Sequence, residues 1–84
     1  MNKHKILQKI LAGSKNIRFS DMLNLVQGFG FNLSRTDAGS HHIFVRPDIP
    51  ELVNLQNFKG QAKPYQIRQF LKLVEKHNLK LEGE

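Results

Sequence analysis

The chain has 84 residues and no cysteine, which leaves room for one small domain and excludes both a disulfide framework and a thiol nucleophile. Thirteen lysine and arginine residues against seven acidic residues give a net charge of +6, which favours a polyanionic partner. No apolar stretch approaches the ~18 residues needed to span a bilayer, so we expect a protein outside the membrane, in the reducing cytoplasm.

The first third of the chain contains two helical repeats of apolar residues. Ile6 and Ile10 lie one turn apart, which predicts a short helix over residues 3–12. A longer repeat begins at Phe19 and stops at Gly28, and it predicts a second amphipathic helix.

After the second helix, the period of the apolar residues changes to two. Phe31 and Leu33 alternate with polar residues, which predicts a strand over 31–36 with one buried face. A turn at 37–39 then leads into a second alternating strand over 41–46. Because these connections are too short for a parallel crossover, we expect antiparallel pairing.

The last third of the chain contains one more strand and one more helix. A short apolar run at 52–55 predicts the strand, and the polar, glycine-containing segment 57–63 is expected to be a loop. The clearest helical repeat of the chain follows, over residues 64–78. Its polar side carries Arg68 and Lys72 one turn apart, which forms a basic ridge.

The order of these elements predicts an α+β fold of two layers. Two helices, three antiparallel strands and a final helix would place the helices on one face of a three-stranded sheet. We expect one domain over residues 1–84, with a core of about 18–79 and the first helix (1–14) as an addition.

The segment Gly39-Ser40-His41-His42 joins the predicted turn to the second strand and carries the strongest functional signal of the chain. An imidazole titrates near neutral pH, and a turn presents it where the rigid sheet meets solvent. The two histidines point to opposite faces of a strand, so they cannot easily share a metal ion, and cysteine ligands are absent. We therefore expect no metal centre and no cofactor.

A histidine among cations suits the cleavage of RNA. The ribose 2′-OH attacks its own phosphate once a base removes its proton, so no external nucleophile is required. Lys59, Lys63 and Arg68 would stabilise the charge that develops on the phosphate oxygens. A second interpretation fits the same histidines, in which His41 or His42 packs or forms a hydrogen bond at a strand edge without any chemistry.

The motif Gly39-Ser40-His41-His42, which leads from a turn into a strand, resembles that of the HicA toxins, and the similarity extends over most of residues 18–79. HicA toxins are small mRNA interferases of type II toxin–antitoxin modules. The resemblance implies a fold like that of a double-stranded-RNA-binding domain, with the order α-β-β-β-α. This chain would add one helix at the front.

The resemblance also implies the roles of individual residues. It assigns catalysis to His42, as general base or acid, and gives Gly39, Ser40 and His41 the role of shaping the turn that presents it. It implies cleavage of mRNA without a metal ion and neutralisation by a HicB-like antitoxin that covers the active site. The residues expected to bind RNA are four cations of the last third of the chain: Lys59, Lys63, Arg68 and Lys72.

Two functions other than catalysis are compatible with the sequence. A non-catalytic RNA-binding module of the same fold predicts salt-dependent retention of RNA without cleavage products. A protein-interaction domain that pairs its exposed sheet face with a partner predicts binding that is insensitive to RNA and to salt. None of these patterns fixes the oligomeric state of the free protein.

Overall fold

The computed structural model describes residues 2–82. Within this range the chain forms three helices and four strands: α1 (Lys3–Leu11), α2 (Phe19–Gly28), β1 (Asn32–Asp37), β2 (His41–Val45), β3 (Val53–Phe58), β4 (Gln61–Ala62) and α3 (Pro64–Lys76). The strands form one antiparallel sheet in the order β1-β2-β3-β4, so that every strand pairs with its neighbour in the chain. The predicted α+β class and antiparallel pairing are confirmed.

The predicted number of strands is wrong, because the segment 57–63, expected to be a loop, contributes to a strand pair. Phe58 pairs with Gln61 across a turn of two residues, so β3 runs past its predicted end and β4 is a fourth strand. The turn residues Lys59 and Gly60 have φ values of 53° and 83°. Positive φ at both central positions defines a type I′ hairpin turn, whose twist matches that of the flanking strands. The order α-β-β-β-α, which the resemblance to HicA toxins implied, therefore lacks the strand β4 that precedes the last helix.

Local sequence explains where the helices begin and end. Asn2 caps α1, because its side-chain Oδ1 accepts a hydrogen bond of 2.9 Å from the main-chain N–H of Lys5. Pro64 occupies the first turn of α3, where a missing N–H leaves no hydrogen bond unmade. The predicted helix bounds agree with the observed ones to within about two residues, the usual uncertainty of helix ends.

The helices form one layer over one face of the sheet, and both layers share a single core. The sheet contributes Phe44, Val53 and Leu55, each with no more than 3% of its surface exposed. Phe70 of α3 is central to the core, because its ring packs edge-to-face against Phe29 at 5.4 Å and against Phe31 at 5.9 Å between centroids. The other buried apolar side chains of the helices are Ile6, Ile10, Phe19, Met22, Leu25, Val26 and Ile67.

Strand β1 differs from its prediction, which gave it one buried face. Phe31, just before the strand, is buried, but every residue of β1 is exposed, and Leu33 has 48% of its surface open to solvent. β1 is an edge strand that pairs only with β2, and its pairing register shifts between Leu33 and Arg35. An edge strand beyond the helical layer has no core to face, which explains why alternation alone misjudged its burial.

A charged cluster ties the β2–β3 connection to the end of α3. Glu51 accepts hydrogen bonds from Lys76 Nζ at 2.6 Å and from His77 Nε2 at 2.9 Å. The bond from Lys76 and then that from His77 lower the pKa of Glu51 from 4.5 to about 2.

This lowered pKa predicts an acid-dependent loss of stability. A carboxylate whose pKa is lower in the folded state stabilises the fold above pH 4.5, and the stabilisation is lost as pH falls from 4.5 towards 2. In Glu51→Gln, the melting temperature should therefore depend less on pH in this window, which circular dichroism would measure. Glu75→Gln, on the exposed side of α3, makes the same charge change and is the matched control. Equal flattening in both variants would contradict a specific role for Glu51.

Candidate active site

The β1–β2 turn has a strained backbone, and Asp37 and His41 pair on either side of it. Gly39 and Ser40 both lie in the left-handed region, with φ values of 77° and 62°. Glycine at position 39 suits this conformation, which other side chains rarely adopt, and a Cβ there would lie 3.4 Å from His41 Cδ2. Gln56 Nε2 of β3 donates a hydrogen bond of 2.9 Å to the Gly39 carbonyl, which fixes the turn to the sheet.

His42 lies on the face of the sheet that the helices cover. It pairs with Leu55 of β3, and paired residues share a face, so its side chain lies on the same side as the core. The imidazole is half-buried and packs edge-to-face on Phe19, with 4.9 Å between ring centroids and an interplanar angle of 68°. Phe19 is the first residue of α2, so the imidazole lies at the start of this helix.

The hydrogen bond of His42 defines which ring nitrogen can act as a base. Nδ1 lies 3.0 Å from the Ser40 carbonyl oxygen, and a carbonyl oxygen can only accept a hydrogen bond. Nδ1 therefore carries the proton in the neutral ring, and Nε2 is left with its lone pair. The same carbonyl accepts a longer bond of 3.4 Å from Asn57 N of β3, which holds it in place.

His41 occupies a different environment from that of His42. It pairs with Gln56, one position along from the His42–Leu55 pair, so it lies on the sheet face away from the helices. Its Nδ1 is 3.1 Å from Asn54 Oδ1. The two imidazoles thus point away from each other, and the structure gives each a separate set of neighbours.

Two of the four predicted RNA-binding cations lie together at the β3–β4 hairpin. Lys59 Nζ and Lys63 Nζ are 5.5 Å and 5.6 Å from the centroid of the Phe58 ring. Phe19 connects this hairpin to the imidazole, because its main-chain N–H donates to the Gly60 carbonyl at 2.9 Å while its ring packs on His42.

The other two predicted cations lie elsewhere on the molecule. Arg68 and Lys72 are exposed on α3, and Arg68 lines a groove with Gly13, Ser14 and Lys15 of the α1–α2 connection. In the part of the chain that the structure describes, no hydrogen bond, ion pair or ring contact joins Arg68 or Lys72 to the His42 neighbourhood. These two residues lie on α3, which follows the hairpin, and the groove beside Arg68 is also lined by Pro64.

Sequence reasoning missed two residues of this site. Phe19 was assigned only to the apolar face of α2, yet its ring and its main chain contact both halves of the site. Phe58 fell in the segment expected to be a loop, and its position next to Lys59 in a basic stretch was the signal for it.

Two further observations limit the kind of site. Among residues 2–82, no three histidine, cysteine or acidic side chains lie close enough together to hold a metal ion. None of α1, α2 and α3 has the length and apolar content needed to cross a bilayer.

The fold and site define a small basic α+β protein with one imidazole presented by a turn beside a lysine-rich hairpin. The model of a known family, described as HicA toxin of bacterial toxin-antitoxin, matches residues 19–75. The chain therefore belongs to the HicA toxin family, which confirms the resemblance seen in its motif. No curated protein and no solved structure matches the chain. The family match begins at the first residue of α2 and leaves α1 outside.

Proposed function

We propose that this toxin is an endoribonuclease that cleaves mRNA without a metal ion and uses His42 as its general base. The observation that carries this proposal is the bond between His42 Nδ1 and the Ser40 carbonyl, which leaves Nε2 as the basic atom. A positioned imidazole of this kind contributes roughly 100- to 10,000-fold to a proton-transfer step. Membership of the family supports the toxin function on independent grounds.

The bonds that form and break in the reaction belong to the RNA, His42 and water. Nε2 removes the proton of a ribose 2′-OH, and the 2′ oxygen forms a bond to the adjacent phosphorus. The bond between phosphorus and the 5′ oxygen breaks, and water protonates the leaving oxygen. The products are a 2′,3′-cyclic phosphate and a 5′-OH, and His42 returns its proton to solvent.

The lysines of the β3–β4 hairpin supply the positive charge that this reaction requires. Lys59 and Lys63 bind the phosphates next to the cleaved bond and stabilise negative charge that develops on the non-bridging oxygens. Arg68 and Lys72, on α3, contact the RNA backbone further along the strand. The net charge of +6 supports long-range attraction of RNA to both pairs of cations.

The partners follow from the same reading of the site. A toxin of a toxin–antitoxin system has an antitoxin partner, and we assign a HicB-like protein that covers the His42 site. The toxin acts in the cytoplasm, where mRNA is translated. A non-catalytic RNA-binding module is the second candidate function, and the exposed Phe58 with its two lysines favours it as well.

Incubation of the purified protein with end-labelled RNA, with and without EDTA, tests the proposal. We expect cleavage at equal rates in both samples and products that end in a 2′,3′-cyclic phosphate. An oligonucleotide of the same sequence with 2′-deoxyribose throughout is the matched control, because it lacks the attacking hydroxyl. RNA that is bound but never cut would favour the second candidate, and cleavage of the deoxy oligonucleotide would contradict the mechanism.

The hairpin lysines have a measurable effect on the salt dependence of binding. Each phosphate neutralised on a single strand contributes about 0.7 to the slope of log affinity against log salt, so the double variant Lys59→Asn/Lys63→Gln should lower this slope by about 1.4. Asparagine is chosen because it tolerates the positive φ of position 59. Fluorescence anisotropy with a labelled oligoribonucleotide, in a His42→Ala background that prevents cleavage, measures the slope.

The control for this experiment removes two charges at a distance from the hairpin. Lys5→Gln/Lys80→Gln makes the same change in net charge on α1 and on the segment after α3. A slope that falls equally in both double variants would show that only net charge matters and that the hairpin has no specific role.

A further inference from the structure

Phe58 is an aromatic side chain that lies on the surface and is not part of the buried core. It is the last residue of β3, and 55% of its surface is exposed to solvent. Exposed large apolar side chains are common singly and need no explanation by themselves. Phe58 differs from the exposed leucines because two ammonium groups converge on its ring.

The two lysines at this ring are not balanced by acidic groups. Lys59 Nζ and Lys63 Nζ approach the centroid to 5.5 Å and 5.6 Å, and neither forms a salt bridge within residues 2–82. The negative face of the ring attracts each cation, but this attraction is weak when the cation is also exposed to water. A ligand that offers negative charge to the lysines and a flat apolar surface to the ring would satisfy all three groups together.

Hydrogen bonds hold the backbone of the hairpin that carries this ring. Asn57 Oδ1 accepts a hydrogen bond of 2.7 Å from Gly60 N, the Gly60 carbonyl accepts one of 2.9 Å from Phe19 N, and Ala62 N donates one of 2.9 Å to the Ile17 carbonyl. These bonds tie the turn to itself, to α2 and to the α1–α2 connection. Little conformational entropy is lost when a ligand binds a surface that is already ordered.

We propose that Phe58 is a stacking platform for one base of single-stranded RNA, with Lys59 and Lys63 binding the phosphates on either side of that base. This inference rests on the proposed function in one respect, that the ligand is RNA. A nucleotide combines a flat ring and a phosphate, which is the combination that this cluster recognises. Bases inside a duplex are stacked on each other and cannot reach an aromatic side chain, so the platform selects unpaired segments.

Three substitutions of Phe58 in the His42→Ala background test the platform. Stacking of one base on an aromatic ring corresponds to roughly 5- to 150-fold in affinity. Phe58→Ala and Phe58→Leu should both weaken binding of a short single-stranded oligoribonucleotide by about 10-fold. Phe58→Trp should retain binding, and because the chain contains no other tryptophan, RNA should quench the fluorescence of the new indole.

Two controls separate stacking from a general effect. Leu33→Ala removes a side chain of similar exposure, 48%, from edge strand β1 and should leave the affinity unchanged. The same oligoribonucleotide annealed to its complement should bind Phe58→Ala and the parent protein equally well. Melting curves would verify that each variant is folded.

The outcomes distinguish this inference from the proposed function. Unchanged affinity of Phe58→Ala and Phe58→Leu, or an indole that RNA does not quench, would overturn the platform and leave cleavage by His42 intact. Loss of affinity in these variants, in a protein whose parent form never cuts RNA, would support the platform and overturn the catalytic proposal. Failure of the parent protein to bind RNA would overturn both.

Discussion

The variant His42→Ala should lose RNA cleavage by a factor of about 100 to 10,000, which is the usual contribution of a positioned general base. The physical reason is that alanine removes the imidazole whose Nδ1 bonds to the Ser40 carbonyl and whose Nε2 is proposed as the base. Rates of cleavage of a labelled oligoribonucleotide measure this loss in the purified protein. Arrest of bacterial growth on expression of the variant should disappear in parallel.

His41→Ala is the matched control for this experiment. It removes the same imidazole from the adjacent residue, which lies on the opposite face of the sheet beside Asn54. We expect cleavage within a few-fold of the parent rate, and RNA affinity within the same range for both variants. Full activity of His42→Ala would end its assignment as the base, and a severe loss confined to His41→Ala would transfer the role to that residue.

The largest effect on stability is expected at Phe70. Replacing it by alanine should reduce the free energy of unfolding by about 3 to 5 kcal/mol, because the change removes a buried ring and leaves a cavity beside Phe29 and Phe31. Small domains have only about 5 to 15 kcal/mol of stability in total, so the variant should be close to its unfolding transition. Urea denaturation followed by circular dichroism measures the difference.

Phe58→Ala provides the comparison for Phe70→Ala, since it deletes the same side chain from the surface. With 55% of Phe58 exposed, against 1% of Phe70, its removal should change the free energy of unfolding by no more than about 0.5 kcal/mol. Similar losses in the two variants would contradict the placement of Phe70 at the centre of the core.

The helices could be predicted from the sequence because their apolar periodicity reflects burial directly. α2 ends at Gly28 and α3 begins at Pro64, as their patterns indicate. The fourth strand could not be predicted from the sequence. A type I′ turn usually has asparagine or aspartate before its glycine, whereas this chain has Lys59 at that position. Lysine gives no such signal, and β4 has only two residues, which is too short for an alternating pattern.

The sequence pattern predicts only part of the candidate active site. Alternation along β2 separates His41 from His42, but a slip of one residue in the pairing would exchange their faces, and only the observed pairing with Leu55 settles this. The position of Phe19 between the imidazole and the hairpin depends on how α2 docks onto the sheet. Such contacts between distant segments leave no periodic trace in the sequence.

The partner of the His42 ring has a consequence for the charge of the site. Many enzymes orient a catalytic histidine with a carboxylate, whose negative charge would repel an approaching phosphate. The partner of the His42 ring is instead a neutral main-chain carbonyl, and it belongs to Ser40 whatever side chain stands at that position. The structural constraint on position 40 is therefore its left-handed backbone, which glycine, asparagine and aspartate also accept.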